Sequence, residues 1–197
     1  AYWEIPASEK TAINGRWVKG PGEKLFDTIL QECGELPILA EDLGFVTEGV
    51  AKLRDKYAFP GMKIIQFAFD ADPNNSFLPH NYPQNCVVYS GTHDNDTSRG
   101  WYEQAPEHER HFARTYTQSD GRQINWAFIR LGMLSVGDQA IFPMQDFMDL
   151  STEHRMNFPG TSSDNWLWRY TTEMLQEIDR DKIRGLVQLG NRSIKKI

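Results

Sequence analysis

Four short apolar runs punctuate the chain: residues 36–40 in "GELPILAEDLG", "MKIIQFAF" after Gly61, "CVVYS" from Cys86, and "QAIFPM" at 139–144. Each is continuously apolar, without strict alternation, as expected of strands buried on both faces. Between them the apolar positions take helical spacing. Leu25, Ile29 and Leu30 fall on one face, and Thr47 is placed to cap a helix carrying Val50, Leu53 and Tyr57 on one side. Phe112 and Tyr116 mark a helix running from Pro106, and Ile124, Phe128 and Leu131 mark the next. A last helix is predicted to begin at Ser163 or Asp164, with Leu167, Thr171, Met174, Leu175 and Ile178 as its inner stripe. Residues 1–24 hold Pro6, Gly15, Gly20, Pro21 and Gly22 and follow no period, so they read as a long loop; the polar, Pro-rich residues 70–85 read as a second. No internal repeat is present.

Strands that alternate with helices and are apolar on both faces predict an α/β fold, either a doubly wound sheet or a β/α barrel. Four such units make half of an eightfold barrel. In parallel α/β folds the chemistry lies beyond the carboxyl ends of the strands. That rule selects Glu41 and Asp42, then Asp70 and Asp72, then His93, Asp94 and Asp96 in "SGTHDNDT", and finally Gln145 and Asp146. A rim rich in carboxylates suits general acid/base chemistry, one carboxyl kept protonated and another ionised. The bland alternative is that such residues cap the following helices. Glu41 escapes it because the better cap, Thr47, comes later; Asp96 or Thr97 suits that duty, and Asp42 and Asp146 read as structural.

The composition narrows the classes of partner. The 197 residues are 40% hydrophobic and 24% charged, with a formal net charge of −6, which argues against nucleic acid, whose phosphates require a concentrated basic surface. No apolar segment approaches the roughly 20 residues that span a bilayer, and the start lacks a signal-peptide pattern. A soluble, non-secreted protein is the expectation, with Cys33 and Cys86 as free thiols. The opening "AYWEIP" has no initiator Met and reads as though cut from a longer chain; "SIKKI" reads as a solvated tail. The sequons at Asn74, Asn95 and Asn191 mean little without a secretory signal.

Metal chemistry finds little support. "DADPNN" opens like a calcium loop, but Asn75 stands where glycine is needed and Asn81 where a bidentate Glu is needed. "HERHF" is one residue short of the zinc-protease spacing and reads as a solvated helix face. His93 and Asp94 have no second His or Cys at ligand spacing. Phosphate and nucleophilic-serine readings are weaker, since "GPGEK" lies outside any strand-to-helix turn and Ser135 lacks the elbow motif. Carbohydrate fits better: Tyr2, Trp3, Trp17, Tyr82 and Trp101 fall in the expected rim loops as flat faces for sugar rings, whereas Trp126, Trp166 and Trp168 fall in helices and read as core.

As a set, "AYWEIPASEKTAINGRWVKGPGEKLF", "PILAEDLG", "PGMKIIQFAF", "FLPHNYPQNCVVYSGTHDNDT" and "RMNFPGTSSDNWLWR" closely resemble the 4-alpha-glucanotransferases (amylomaltase, or disproportionating enzyme), in order and to about residue 170. The resemblance implies a (β/α)8 TIM-type barrel, here its second half, strands five to eight with covering helices. The whole chain, 1–197, is then the C-terminal part of one catalytic domain, with 1–24 as a substrate-side loop and 190–197 as a tail. It implies retaining transglycosylation on α-1,4-glucans through a covalent glycosyl-enzyme, with nucleophile and acid/base about 5–5.5 Å apart. By motif, Glu41 is the acid/base and Asp94 the carboxylate that stabilises the oxocarbenium-like transition state. His93, Asn95, Trp3, Tyr2, His80, Asn81 and Asp42 are implied to bind substrate.

The resemblance implies no metal and no cofactor. Its partners are α-1,4-glucan or maltooligosaccharide, with no nucleic acid and no membrane, and a cytoplasmic location, plastid if the source is a plant. The family's nucleophilic aspartate lies in an R-x-D-H-F-R strand just ahead of the segment that opens this sequence, and that string is absent here. The expectation is therefore that the chain alone is inactive and works with the missing N-terminal part of the same enzyme. Two other readings stand beside it: a non-catalytic carbohydrate-binding or half-barrel assembly module, and an α-glucan hydrolase.

Overall fold

The computed structural model describes residues 1–44 and 46–193. It comprises two compact units, Ala1–Gly61 and Met62–Ile197.

The first unit opens with an antiparallel pair where the sequence predicts only loop. β1 (Tyr2–Glu4) pairs with β2 (Arg16–Val18) in the register Tyr2↔Val18, Trp3↔Trp17, Glu4↔Arg16. Opposed side chains hold it, as cross-strand pairs do. The Trp3 and Trp17 rings meet edge-on with centroids 5.3 Å apart, and Arg16 pairs with Glu4 at 2.7 Å. The Trp3 indole N–H also donates to Ala12 C=O at 2.8 Å, closing the intervening turn.

Two predicted helices follow, α1 (Glu23–Cys33) and α2 (Glu48–Lys56). Thr47 caps α2, its hydroxyl accepting from Val50 N–H at 3.4 Å. They belong to one aromatic cluster in which Phe26 lies 5.2 Å from Tyr57 and 5.1 Å from Phe59, and the Tyr57 hydroxyl donates to Asp27 at 2.6 Å. Residues 36–40, predicted as a strand, are not one. Pro37 has no N–H to give a ladder, Ile38 N–H bonds locally to Leu36 C=O, and only Ala40 N–H reaches across, to Pro60 C=O at 2.9 Å.

The second unit carries a three-stranded sheet in the order β3 (Gly61–Ile64), β4 (Cys86–Tyr89), β5 (Gln139–Ile141). β4 and β5 are parallel, with Val88 opposite Ala140. The fold class is α/β. Only the first half of "MKIIQFAF" is strand, because Ile65–Phe67 turn into a 3-10 helix. That turn sends Ile65, Ala68 and Phe69 into the core with Leu78, Val87, Val88, Ile124 and Phe128, all at most 1% exposed. Each of these side chains larger than alanine contributes about 1.5–3 kcal/mol by leaving water.

The helices of this unit are α3 (Ser98–Gln104), α4 (Glu107–Thr117), α5 (Ile124–Leu134), α6 (Met144–Phe147), α7 (Thr172–Gln176) and α8 (Arg180–Leu189). Phe69 of the core stacks on Phe128 of α5 at 5.1 Å, with Trp101 of α3 5.5 Å from Phe69. The single helix predicted from residue 163 is replaced by an irregular segment and the short α7. Asp164 (φ 63°) and Trp166 (φ 65°) have left-handed backbone that a helix does not allow, and Trp166 N–H donates to Met156 C=O at 2.6 Å. Neither Cys33, which is exposed, nor Cys86, which is buried, takes part in a disulfide. No helix among the described residues is long and apolar enough to cross a membrane.

Asp146 ties the second unit together. It is 1% exposed; its carboxylate accepts from Ser98 N–H at 2.7 Å, from the Ser98 hydroxyl at 2.9 Å and from the Ser90 hydroxyl. Its backbone C=O accepts from the Asn125 amide at 2.9 Å. Burial pushes the Asp146 carboxyl above its ordinary range, against the opposing pull of the serine donors, and the neighbouring Asp149 charge adds to the rise. Because the folded value lies above the unfolded one, the carboxyl's contribution to stability is complete below the unfolded value and is lost as pH rises through the folded one.

Within the stretch expected as a tail, Arg192 inserts its guanidinium among the carbonyls that end α5. Nε donates to Met133 C=O at 2.8 Å, and Nη2 to Ser135 C=O at 3.0 Å and Gly137 C=O at 2.8 Å. A cation there also meets the negative end of the helix dipole. Residues 194–197, most of "SIKKI", lie outside the described residues.

Two stability measurements on the intact protein carrying this chain follow. Asp146→Asn keeps an acceptor for Ser98 N–H and offers an amide to the serine hydroxyls, so the natural protein is expected to lose stability relative to this variant over the pH range that runs upward from the ordinary carboxyl value of about 4. Urea unfolding across that range checks it, and a flat difference contradicts it. Arg192→Ala is expected to cost about 2 kcal/mol or more, with Arg192→Lys recovering less than half because an ammonium lacks the planar fork.

Candidate active site

β4 ends at Tyr89, and the next eight residues form a knotted turn whose tip is polar. Its base is fixed first. Ser90 C=O accepts from Gln66 N–H at 3.3 Å, and the Gln66 side-chain amide donates to Asp96 C=O at 2.7 Å. Gly91 is required for that reach, since a Cβ on it would stand 2.7 Å from the Gln66 amide nitrogen. Asp96 accepts from Thr97 N–H at 2.7 Å on one oxygen and from Thr152 at 2.9 Å and Gln104 at 3.1 Å on the other. Thr97 then caps α3, its hydroxyl accepting from Gly100 N–H at 3.0 Å. The capping duties fall on Asp96 and Thr97, which leaves the tip residues free of them.

The tip is a tight turn closed by a side chain reaching back. Asn95 Oδ1 accepts from Thr92 N–H at 2.9 Å and from the Thr92 hydroxyl at 2.8 Å. His93 and Asp94 are thereby projected outward, with 53% and 54% of their side chains exposed and 3.5 Å between His93 Nε2 and Asp94 Oδ2. Asp94 Oδ1 accepts from the Asn157 amide at 2.6 Å, and Asp94 C=O accepts from Arg155 at 2.9 Å. The Arg155 guanidinium lies 4.7 Å from the Phe158 ring, and the Trp166 ring lies 5.0 Å from that of His93. One carboxylate oxygen is oriented by an amide and the other faces outward beside an imidazole. Such a group accepts hydrogen bonds from hydroxyls and stabilises positive charge developing near it. Among the described residues no three His, Cys, Asp or Glu are grouped to hold a metal ion.

The other predicted residues take different places. Glu41 is exposed in the first unit, just past the Ala40–Pro60 bond. Asp42 is paired with Arg54, and its carboxylate lies where a Cβ on Gly61 would be, 2.4 Å from Oδ2. Tyr2 and Trp3 form the hairpin, 50% and 39% exposed. His80 and Asn81 brace the loop before β4: His80 Nδ1 pairs with the Tyr116 hydroxyl at 2.9 Å, and the Asn81 amide donates to Pro73 C=O and Asn75 C=O at 3.0 Å each.

Two expected sugar platforms are core residues instead. Trp101 packs on Phe69 and Phe128, and Tyr82 is 8% exposed with a hydroxyl that finds no hydrogen-bond partner among the described residues. Conversely Trp166, read as core, is 52% exposed against His93. Asn157, Arg155 and Trp166 are the neighbours that residue-by-residue reading missed. Their only signal in the sequence is the string "RMNFPGTSSDNWLWR", which contains all three.

The family model described as 4-alpha-glucanotransferase matches residues 1–175. The chain belongs to the 4-alpha-glucanotransferase family. It is 49% identical over 200 residues to the 4-alpha-glucanotransferase of Thermus thermophilus, covering 98% of this chain and 40% of that protein. It is 48% identical over 169 residues to the chloroplastic/amyloplastic 4-alpha-glucanotransferase of Solanum tuberosum, covering 85% of this chain and 29% of that one. The solved amylomaltase of Streptococcus agalactiae in complex with acarbose superposes with a TM-score of 0.93 at 37% identity, over 98% of this chain and 39% of that structure. The chain thus spans about two fifths of the length of the bacterial glucanotransferases it matches. Both the hairpin of the first unit and the Ser90–Thr97 turn lie within the matched residues.

The clamp between Gln66 and Asp96 C=O gives a direct test of how the tip is held. Gln66→Ala is expected to speed amide hydrogen exchange in residues 92–97 by about three- to tenfold, the worth of one hydrogen bond, while the amides of β4 keep their rates. Equal rates in both proteins would show that the turn holds itself.

Proposed function

We propose that this chain is the C-terminal part of the catalytic barrel of a 4-alpha-glucanotransferase, the intact enzyme moving α-1,4-glucanosyl segments between maltooligosaccharides or starch-type glucans. In this reading β3, β4 and β5 are strands six to eight of a (β/α)8 barrel and residues 36–40 stand in the place of the fifth. The observation that carries it is the Asp94 carboxylate held outward at the end of β4, oriented by Asn157 and flanked by His93, inside a segment matched by the family model.

The chemistry is a retaining double displacement. A carboxylate attacks the anomeric carbon while an acid gives its proton to the departing glycosidic oxygen; a hydroxyl of the acceptor glucan then displaces the enzyme, the former acid now taking its proton. By motif, Glu41 is the acid/base. Asp94 binds sugar hydroxyls through its outward oxygen and stabilises the positive charge that grows on the ring as the bond breaks, and His93 and Asn95 support it. Tyr2 and Trp3 offer exposed ring faces suited to glucose units. The nucleophile belongs to the part of the enzyme that this sequence does not include, so the 197-residue chain by itself is expected to show no turnover. The binding of acarbose by the Streptococcus agalactiae amylomaltase supports an oligosaccharide ligand for this chain too.

The test is maltotriose disproportionation by the intact enzyme carrying this chain, followed as release of glucose and longer maltooligosaccharides. Glu41→Gln is expected to lower kcat by about 10²- to 10⁴-fold, as loss of a general acid does, and Asp94→Asn to lower it by a comparable factor with the fold intact. Near-natural rates in either variant overturn the role assigned to that residue. Loss of all transfer with rapid release of glucose to water would mark a hydrolase.

A further inference from the structure

A groove of about 880 Å³ opens on the second unit along the end of α4, the start of α5 and α8. Its floor is apolar, made by Trp126, Ala127, Leu186 and Leu189. Its charged lining is Arg122, Arg130, Lys182 and Asp120, three cations to one carboxylate, on a chain whose net charge is −6. Asp120 is engaged with Arg122 at 3.4 Å. Among the described residues Arg130 and Lys182 have no carboxylate partner. Lys182 is held by neutral groups alone: its ammonium donates to the Gln123 amide oxygen at 3.2 Å and sits 4.2 Å from the centre of the Trp126 ring. Its charge is positioned but not cancelled. The α5 helix starts at the same end, with no side-chain hydrogen bond from its cap residue Gln123, so its positive pole adds to the three cations.

This arrangement disfavours a neutral sugar. The Trp126 face on which a glucose ring would stack is covered by the ammonium. What the groove leaves unsatisfied is positive charge, carried in part by guanidinium forks that match phosphate oxygens. We infer that the groove binds a phosphate monoester, the phosphate taken by Lys182, Arg130 and Arg122 and the organic part resting on the apolar floor beside it, formed by Ala127, Leu186 and Leu189. The inference goes beyond the transfer reaction and does not rest on it, since none of these residues has a part in that chemistry. The ester has two possible sources, a free sugar phosphate or a phosphate group borne by a glucan chain.

Calorimetric titration of the intact protein decides it, with glucose 6-phosphate, inorganic phosphate and glucose as probes. Saturable binding of glucose 6-phosphate is expected, weakened about tenfold in the double variant Arg130→Gln with Lys182→Gln, which keeps side-chain bulk and removes charge. Raising the salt should weaken it as well, because the groove is open to screening. Glucose should respond identically in both proteins, and the variant should keep its unfolding midpoint and its maltotriose disproportionation rate. Absence of saturable binding, or a Kd unchanged by the double variant, overturns the site. Inorganic phosphate binding as tightly as the ester overturns the role given to the apolar floor. A maltotriose phosphorylated on one ring separates the sources: tighter binding than glucose 6-phosphate assigns the group to a glucan chain, and weaker binding assigns it to a free sugar ester.

Discussion

The turn that the second unit presents at its sheet edge depends on one buried carboxyl group. Asp146 sits in α6 but serves distant parts of the chain. Its carboxylate takes the hydroxyl of Ser90, where β4 ends, and both the N–H and the hydroxyl of Ser98, where α3 begins. The tip carrying His93 and Asp94 lies between those two serines, so its entry and exit are anchored to the same acid. Removing a carboxyl from water is unfavourable, the more so when ionised, and the three hydrogen bonds only partly offset the loss of hydration. What the chain gains is a turn with both feet fixed, from which short polar side chains project in defined directions.

Around that anchor the local order is hierarchical. Asp96 and Thr97 serve the backbone, one closing the turn and the other starting a helix, and their hydrogen bonds are satisfied inside the fold. His93 and Asp94 are spared such duties and keep half of their side chains in solvent. A second layer then reaches in from 155–166, where Asn157 orients one oxygen of Asp94 and Trp166 flanks His93. This rim lies within the residues that the 4-alpha-glucanotransferase family model matches.

Much of the scaffold was legible from periodicity. The apolar runs at Met62 and Cys86 are strands, and α1, α2, α4 and α5 lie where helical spacing and the Thr47 cap put them. The failures have physical causes. The β1–β2 pairing is encoded in the opposition of Trp3 and Trp17 across a long connection, which leaves no local period. Residues 36–40 are apolar enough for a strand, but Pro37 withholds an N–H. The segment from residue 163 has helical spacing of apolar residues, yet positive φ at Asp164 and Trp166 breaks it, and no composition rule gives that away. At the candidate site the hardest distinction was among carboxylates that follow strands. Asp94 and Asp146 both follow strands, and the reading of Asp146 as structural agrees with its burial while Asp94 keeps half of its side chain in solvent. Aromatic residues fared worse, Trp101 and Tyr82 turning inward and Trp166 outward.

Gly100 sets a limit on how this rim can vary. A methyl group there would stand 2.3 Å from both Asp96 Oδ1 and Thr152 Oγ1, atoms already bound to Thr97 N–H and to each other's residues. Retreat of the first breaks its bond with Thr97 N–H and retreat of the second its bond with Asp96, so a larger residue here requires the supporting turn to shift. Diversification by random mutagenesis would have to enter through solvent-facing positions such as 93, 94, 166 and 167, while codons for the supporting turn stay silent.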